Sequence, residues 1–229
     1  MNDTAEPADG GRPMPEHDSR NPPTEVLLFD AGGVLIDLGD EPLPGVRVQE
    51  LGAWLRSPIA LAFEKGLTSA DEFAAAWIDS IDLDCDAATL IEHFRRWPIG
   101  PYAGVPALLS RLVVDYRIAI LTNTNELHWP RFTDEFELDR YAERIFASHQ
   151  LGLAKPDAEI FHFVIDQLGS APDRILFVDD NLANVDAARA AGLRAERVGG
   201  FEELLGTLAA LAIIDPTDIA AIAAAAATA

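Results

Sequence analysis

An open α/β sheet of parallel strands, with a small all-helical insertion after its first strand, is the fold class this sequence predicts. Three observations carry it. Short apolar runs, EVLLF at 25–29, RIAIL at 117–121 and RILFV at 174–178, read as strands buried on both faces. Helical patterns alternate with them, the order that right-handed βαβ crossovers produce. From about 45 to 98 the alternation stops and only helical patterns remain.

Taken in order, residues 1–23 are rich in Pro, Gly, Asp and Glu without periodicity and are expected to be a disordered tail. The first strand follows. In the insertion, Phe73, Trp77, Ile78 and Ile81 make one helical face, with Ser69 and Glu72 spaced as a capping box. Leu90, Ile91, Phe94 and Trp97 make a second face, and Pro98 ends it. RIFAS at 144–148 and LRAERV at 193–198 are weaker strand candidates. Between them, 157–168 reads as a helix with Pro156 in its first turn and Gly169 at its stop, and 182–191 as another ended by Gly192. The alanine-rich end either extends a helix or frays. The expected organisation is a tail over 1–23, a core from 24–44 and 99–212, a helical insertion over 45–98, and an Ala-rich tail over 213–229.

The net charge of −21 argues against nucleic acid and anionic membrane surfaces as partners. Any anionic ligand then needs local positive charge, and there are only two lysines, Lys65 and Lys155. No apolar run reaches the roughly 18 residues of a membrane span, and the N-terminus has no apolar signal-like stretch. The single cysteine, Cys85, leaves no disulfide within the chain. A cytoplasmic setting is expected.

The three best strands each end in polar residues: Asp30 after the first, Thr122 and Asn123 after the second, Asp179 and Asp180 after the third. Parallel strands bring such residues to one rim, where open α/β sheets bind ligands. Lys155, in GLAKPD, joins them just before a helix N-terminus. Carboxylates crowded together repel unless a cation sits among them, and their hard oxygens suit Mg²⁺. Asp30 can act as a nucleophile, Thr122 can contact phosphate oxygens, and Lys155 can neutralise developing charge. Singly, each residue is ordinary turn or cap chemistry; the conjunction at successive strand ends is not. No Walker-type phosphate loop, dinucleotide fingerprint, zinc-protease motif or nucleophile elbow is present. The five histidines show no metal spacing. Trp54, Trp77 and Trp97 read as helical core. Trp129, beside His128, is the aromatic nearest the predicted rim.

LLFDAGGVLID, ILTNTN, GLAKPDAEIF and FVDDNLANVDAARAAG resemble the four motifs of the haloacid dehalogenase superfamily, across residues 25–192. The helical insertion after the first motif, together with TNTNELHW, resembles the alpha-glucose-1-phosphatase-like phosphatases with a small helical cap. The resemblance implies a Rossmann-like core and a Mg²⁺-dependent phosphatase acting on a small phosphomonoester, with a sugar phosphate in view. It implies Asp30 as the nucleophile that becomes an aspartyl-phosphate. Thr122 and Asn123 would hold the phosphoryl oxygens, and Lys155 would stabilise both nucleophile and transferring group. Asp30, the Gly32 carbonyl and Asp180 would ligate the metal, with Asp179 supporting them.

One departure stands out. Most phosphatases of the superfamily carry a second aspartate two residues after the nucleophile, as acid and base; here that position is Gly32. Three readings stay open at this point. The leaving group needs little help, as an anomeric sugar oxygen would. Or another group serves: His128, Asp37 or a residue of the insertion. Or the protein binds phosphate and turns over poorly. A 2-haloacid dehalogenase, with Asp30 attacking carbon, is a further alternative, although the Asp179–Asp180 pair argues for a metal. The oligomeric state is not legible.

Overall fold

The computed structural model describes residues 23–43, 46, 52, 54–81 and 84–228. The tail expected over 1–23 lies outside them apart from Pro23. The chain then enters β1 (Val26–Phe29), buried throughout. Leu27 and Phe29 belong to one apolar cluster and Val26 and Leu28 to the other, the period of two that a strand covered on both faces requires. β2 (Ile36–Asp37) follows a tight turn through Gly33.

The insertion supplies α1 (Pro58–Glu64), α2 (Ala70–Ile81) and α3 (Ala87–Arg96). Each starts on an identifiable cap. The Ser57 hydroxyl accepts from Ala60 N–H, and the Asp86 carboxylate accepts from Thr89 N–H. At α2 the capping box is reciprocal: Ser69 Oγ accepts from Glu72 N–H at 3.3 Å, and Glu72 Oε2 accepts from Ser69 N–H at 3.0 Å. The apolar faces meet in an aromatic cluster of Phe63, Phe73, Trp77 and Phe94, closed by Leu127. Phe63 stacks on Phe73 at 4.3 Å, and Trp77 stands edge-on to Phe94 at 5.3 Å. β3 (Gly100–Pro101) returns the chain and pairs antiparallel with β2, Ile36 opposite Pro101 and Asp37 opposite Gly100. This two-stranded ribbon, which sequence patterning does not announce, brings the two ends of the insertion to one point.

The core continues with α4 (Val105–Leu112), β4 (Arg117–Thr122), β5 (Arg144–Ala147), the single turn α5 (Ser148–Leu151) and α6 (Ala158–Leu168). It ends with β6 (Ile175–Asp179), α7 (Leu182–Ala190), β7 (Arg194–Arg197), α8 (Phe201–Ala210) and α9 (Pro216–Ala226). The strand order is β5-β4-β1-β6-β7, all pairings parallel, so all five sequence-predicted strands join one sheet. α4, α8 and α9 cover one face; α6 and α7 cover the other. β1 lies between β4 and β6, where the chain switches from one side of the sheet to the other, the place where such sheets bind ligands.

One detail differs from the sequence reading, and at the alanine-rich end the structure takes the helix of the two alternatives. Pro156 precedes α6 rather than lying in its first turn, because Asp157 is the N-cap residue. The alanine-rich end does not fray before Ala226: Asp215 and Asp218 form a capping box, Ile222 is buried, and Arg111 pairs with Asp218 at 2.8 Å. Among the described residues no helix is long and apolar enough to cross a membrane.

Candidate active site

The rim forms as the strand ends predict. Asp30 leaves β1 with its N–H donating to Val178 O at 2.8 Å, which ties the first strand end to the third. Asp30 Oδ1 accepts from Ala31 N–H at 2.7 Å and from the Lys155 ammonium at 2.9 Å. Lys155 also reaches Asp179 Oδ2 at 2.6 Å and lies over the Phe177 ring, 5.6 Å from its centre. Asp179 is fully buried and held from several sides. Asn184 donates to both its oxygens, and Asn181 N–H donates to Oδ1 at 2.8 Å.

Asn123 fixes Lys155 through the backbone. Its Nδ2 donates to Lys155 O and its Oδ1 accepts from Lys155 N–H, both at 2.9 Å. Thr122, at the end of β4, is buried beside it. The structure therefore brings together all the residues the sequence nominates: Asp30, Gly32, Thr122, Asn123, Lys155, Asp179 and Asp180.

Charge at this rim is unbalanced. Burial pushes the Asp30 carboxyl up to about 8; Lys155 pulls it back, while Asp179 and Asp180 add to the rise. Burial also works against the Lys155 charge, but Asp30 and Asp179 outweigh it and hold the ammonium above its usual value. Asp30, Asp179 and Asp180 each place an oxygen within 4.8 Å of the others. The set fits a hard divalent cation such as Mg²⁺, which takes carboxylate oxygens and keeps several waters. Gly33 supports that fit: its φ is +73°, and a Cβ there would lie 2.7 Å from Asp180 Oδ2. Only glycine lets the loop turn and Asp180 approach together.

Two cavities adjoin the rim. One, of about 390 Å³, is lined by Asp30, Lys155 and Asp180 on its polar side. The other, of about 130 Å³, has Phe63, Phe73, Phe94, Trp97 and Phe132 among its lining residues, beside the polar Thr122, Asn123, Thr124 and Asn125. Gly32, Leu38, Leu55, Glu64 and Asn123 line both.

The suggested substitutes for the missing acid are accounted for. His128 is buried; its Nε2 lies 2.7 Å from Phe94 O, and its Nδ1 lies 3.2 Å from Asn125 Nδ2. A carbonyl only accepts, so Nε2 carries the proton and Nδ1 accepts from Asn125. Burial lowers its pKa to about 4, so the ring is neutral and fully engaged near pH 7. Asp37 accepts from Gly39 N–H at 2.9 Å in a turn. Trp129 stands edge-on to His149 at 5.6 Å. Sequence reasoning missed Asn184, which follows Asp179 by five residues and folds back from α7. It also missed Glu64, whose only sequence signal is a carboxylate ending an apolar helix.

A nucleophile-type aspartate, a buried lysine and an acidic pair at the switch point of a parallel sheet define a hydrolase of the Rossmann-like α/β class. The sequence profile of the haloacid dehalogenase-like hydrolases matches residues 24–192, and the chain belongs to that family. It is 28% identical to a D-ribitol-5-phosphate phosphatase of Bacteroides thetaiotaomicron, over 72% of this chain and 87% of that protein. It is 30% identical to a sesquiterpene phosphatase of Aspergillus oryzae, over 74% of this chain and 87% of that one. Among solved structures, a haloacid dehalogenase family enzyme of Bacteroides thetaiotaomicron, in complex with magnesium and inorganic phosphate, superposes with a TM-score of 0.66. That likeness is at 26% identity and covers 77% of this chain and 96% of the other.

Proposed function

We propose that this protein removes the phosphoryl group of a small phosphomonoester through an aspartyl-phosphate on Asp30. The chain is a magnesium-dependent phosphatase of its family, and the observation that carries the reading is the buried Asp30–Lys155–Asp179 arrangement. Both hydrogen bonds to Asp30 fall on Oδ1, which leaves Oδ2 to attack phosphorus. Lys155 balances charge on nucleophile and phosphoryl group. Thr122 offers its hydroxyl and Asn123 its main-chain N–H to the phosphoryl oxygens, the Asn123 amide being taken by Lys155. Asp30, the Gly32 carbonyl and Asp180 would hold Mg²⁺, which would supply charge neutralisation. Asp179 orients Lys155.

In this reading residues 45–98 are a cap over a core of 24–44 and 99–212, and the protein works in the cytoplasm, as a chain with one cysteine and no pairing partner suits. The relative that acts on ribitol 5-phosphate supports a sugar or polyol phosphate as substrate. The five aromatic side chains that line part of the 130 Å³ cavity favour a second class, phosphates of apolar alcohols, and the sesquiterpene phosphatase relative agrees with it. Purified protein assayed for phosphate release from 4-nitrophenyl phosphate, a sugar-phosphate panel and an isoprenyl phosphate, with and without chelator, tests the reading. Chelator-sensitive release that Asp30→Asn abolishes is expected. Activity indifferent to chelator, or retained in Asp30→Asn, overturns it, and halide release from a 2-haloacid would install the dehalogenase instead.

A further inference from the structure

The superfamily's usual acid is missing at Gly32, yet breaking a P–O bond to an alcohol leaves an alkoxide that needs a proton. A Cβ restored at Gly32 would lie 2.9 Å from Leu38 Cδ1, the end of a side chain that can turn aside. One carboxyl of the insertion borders the same space as Asp30. Glu64 lines both cavities, the polar space beside Asp30 and the more apolar one under the insertion. An ester with its phosphoryl group at Asp30 and its organic group in the second cavity would carry its bridging oxygen past the residues that line both.

We propose that Glu64 is the general acid and base of this phosphatase, supplied from α1 in place of the aspartate absent at Gly32. The proposal rests on the phosphatase reading of Asp30. In the first step Asp30 Oδ2 bonds to phosphorus and the P–O bond to the alcohol breaks. The bond's electron pair goes to the alcohol oxygen, which takes the proton of the Glu64 carboxyl. Alcohol leaves, with Asp30 phosphorylated and Glu64 ionised. In the second step water attacks phosphorus and gives one proton to the Glu64 carboxylate. The acyl phosphate bond breaks back to the Asp30 carboxylate, phosphate leaves, and Glu64 is protonated again.

The surroundings suit the task. Glu64 ends α1, and that end is pinned to the core at three successive residues. Ser148 Oγ donates to Glu64 O at 2.6 Å, Lys65 pairs with Asp157 at 2.7 Å, and Gly66 sits against His149 O, too close for any Cβ. The carboxylate accepts from Asn123 Nδ2 at 3.4 Å, a long bond that leaves it free to turn to substrate. Burial raises its pKa to about 7, with Lys155 and Asn123 opposing the rise. The charged groups sharing the polar cavity are Asp30, Lys155 and Asp180 from the core and Arg56 from the insertion, and the titratable group sharing the other is the buried, neutral His128.

The test uses leaving-group dependence. 4-Nitrophenolate leaves without a proton; an alkyl alkoxide does not. Glu64→Gln should lower kcat/KM for an alkyl or sugar phosphate by on the order of 10²-fold more than for 4-nitrophenyl phosphate, with Glu64→Asp restoring part of the difference. The unaltered protein should show kcat/KM for the alkyl ester falling above about pH 7, with no such limb for the aryl ester. That comparison holds even if the variant does not fold. Equal losses on both esters, no loss on either, or the same pH limb for both overturns the assignment. Magnesium-dependent aryl phosphate turnover by the unaltered protein reports the phosphatase reading separately.

Discussion

Lys155 holds Asp30 by a single oxygen, Nζ to Oδ1 at 2.9 Å, while its second contact, to Asp179 at 2.6 Å, fixes where that ammonium can go. One cation thus faces three carboxylates, a deficit that a divalent ion would cancel. Lys155→Met keeps the volume and removes the charge. Without magnesium it should lose about 3–5 kcal/mol of stability, since two buried carboxylates lose their partner. Added magnesium should return part of that loss. Phosphate release at saturating magnesium should fall by about 10²–10³-fold. Chemical denaturation with and without the metal, beside a phosphate assay, checks both; equal stability of the two proteins without metal would refute the charge argument.

Gly33 is where backbone freedom and metal geometry meet. Its φ of +73° costs a residue with a Cβ about 1–2 kcal/mol, and the added carbon would press on Asp180 Oδ2 at 2.7 Å. Gly33→Ala should therefore move Asp180 and raise the magnesium concentration for half-maximal activity about 10–100-fold. The rate at saturating metal should suffer less. Titration of activity with magnesium distinguishes this from a general loss of fold, which would lower the plateau and leave the midpoint in place.

Much of this rim was legible before any coordinates. Strands buried on both faces leave continuous apolar runs, so their polar ends stand out in one dimension, and a parallel sheet carries those ends to one edge. That logic locates Asp30, Thr122 and Asp179, and Lys155 follows as one of two lysines. It does not reach Glu64, because a carboxylate ending an amphipathic helix is ordinary, and only tertiary placement of α1 on Ser148 and His149 brings it to the rim. The β2–β3 ribbon was equally hidden: two residues a side carry no periodicity, and their pairing spans the whole insertion.

His128 makes the fold sensitive to acid. Its pKa is about 4 folded and 6.5 as the ordinary value. Between those values the unfolded chain binds the proton and the folded one does not. Stability from this group is present above pH 6.5 and is lost as pH falls toward 4, by up to about 3 kcal/mol. Unfolding monitored by denaturant from pH 7 to 4 should show that loss. His128→Gln, which can keep one of the two hydrogen bonds, should be less stable at pH 7 but flatter across the window. An identical slope in both proteins would assign the acid sensitivity to other groups.

Ser148 links the stability of the core to the position of Glu64. Its hydroxyl accepts from Thr124 N–H at 2.9 Å and donates to Glu64 O at 2.6 Å, so one atom spans the loop after β4 and the end of α1. Ser148→Ala leaves a buried N–H without its acceptor and should cost about 1–3 kcal/mol. It also frees the end of α1, which Lys65 and Gly66 still hold in part. If Glu64 is the proton donor, that loosening affects esters whose alcohol needs the proton. The loss in kcat/KM should then be about 10-fold for an alkyl phosphate, a tenth of what a full 1 Å misplacement costs, and smaller for 4-nitrophenyl phosphate. A uniform loss across both esters would mean that Ser148 acts only through the Thr124 loop and the phosphoryl site, and not through the carboxyl that α1 presents.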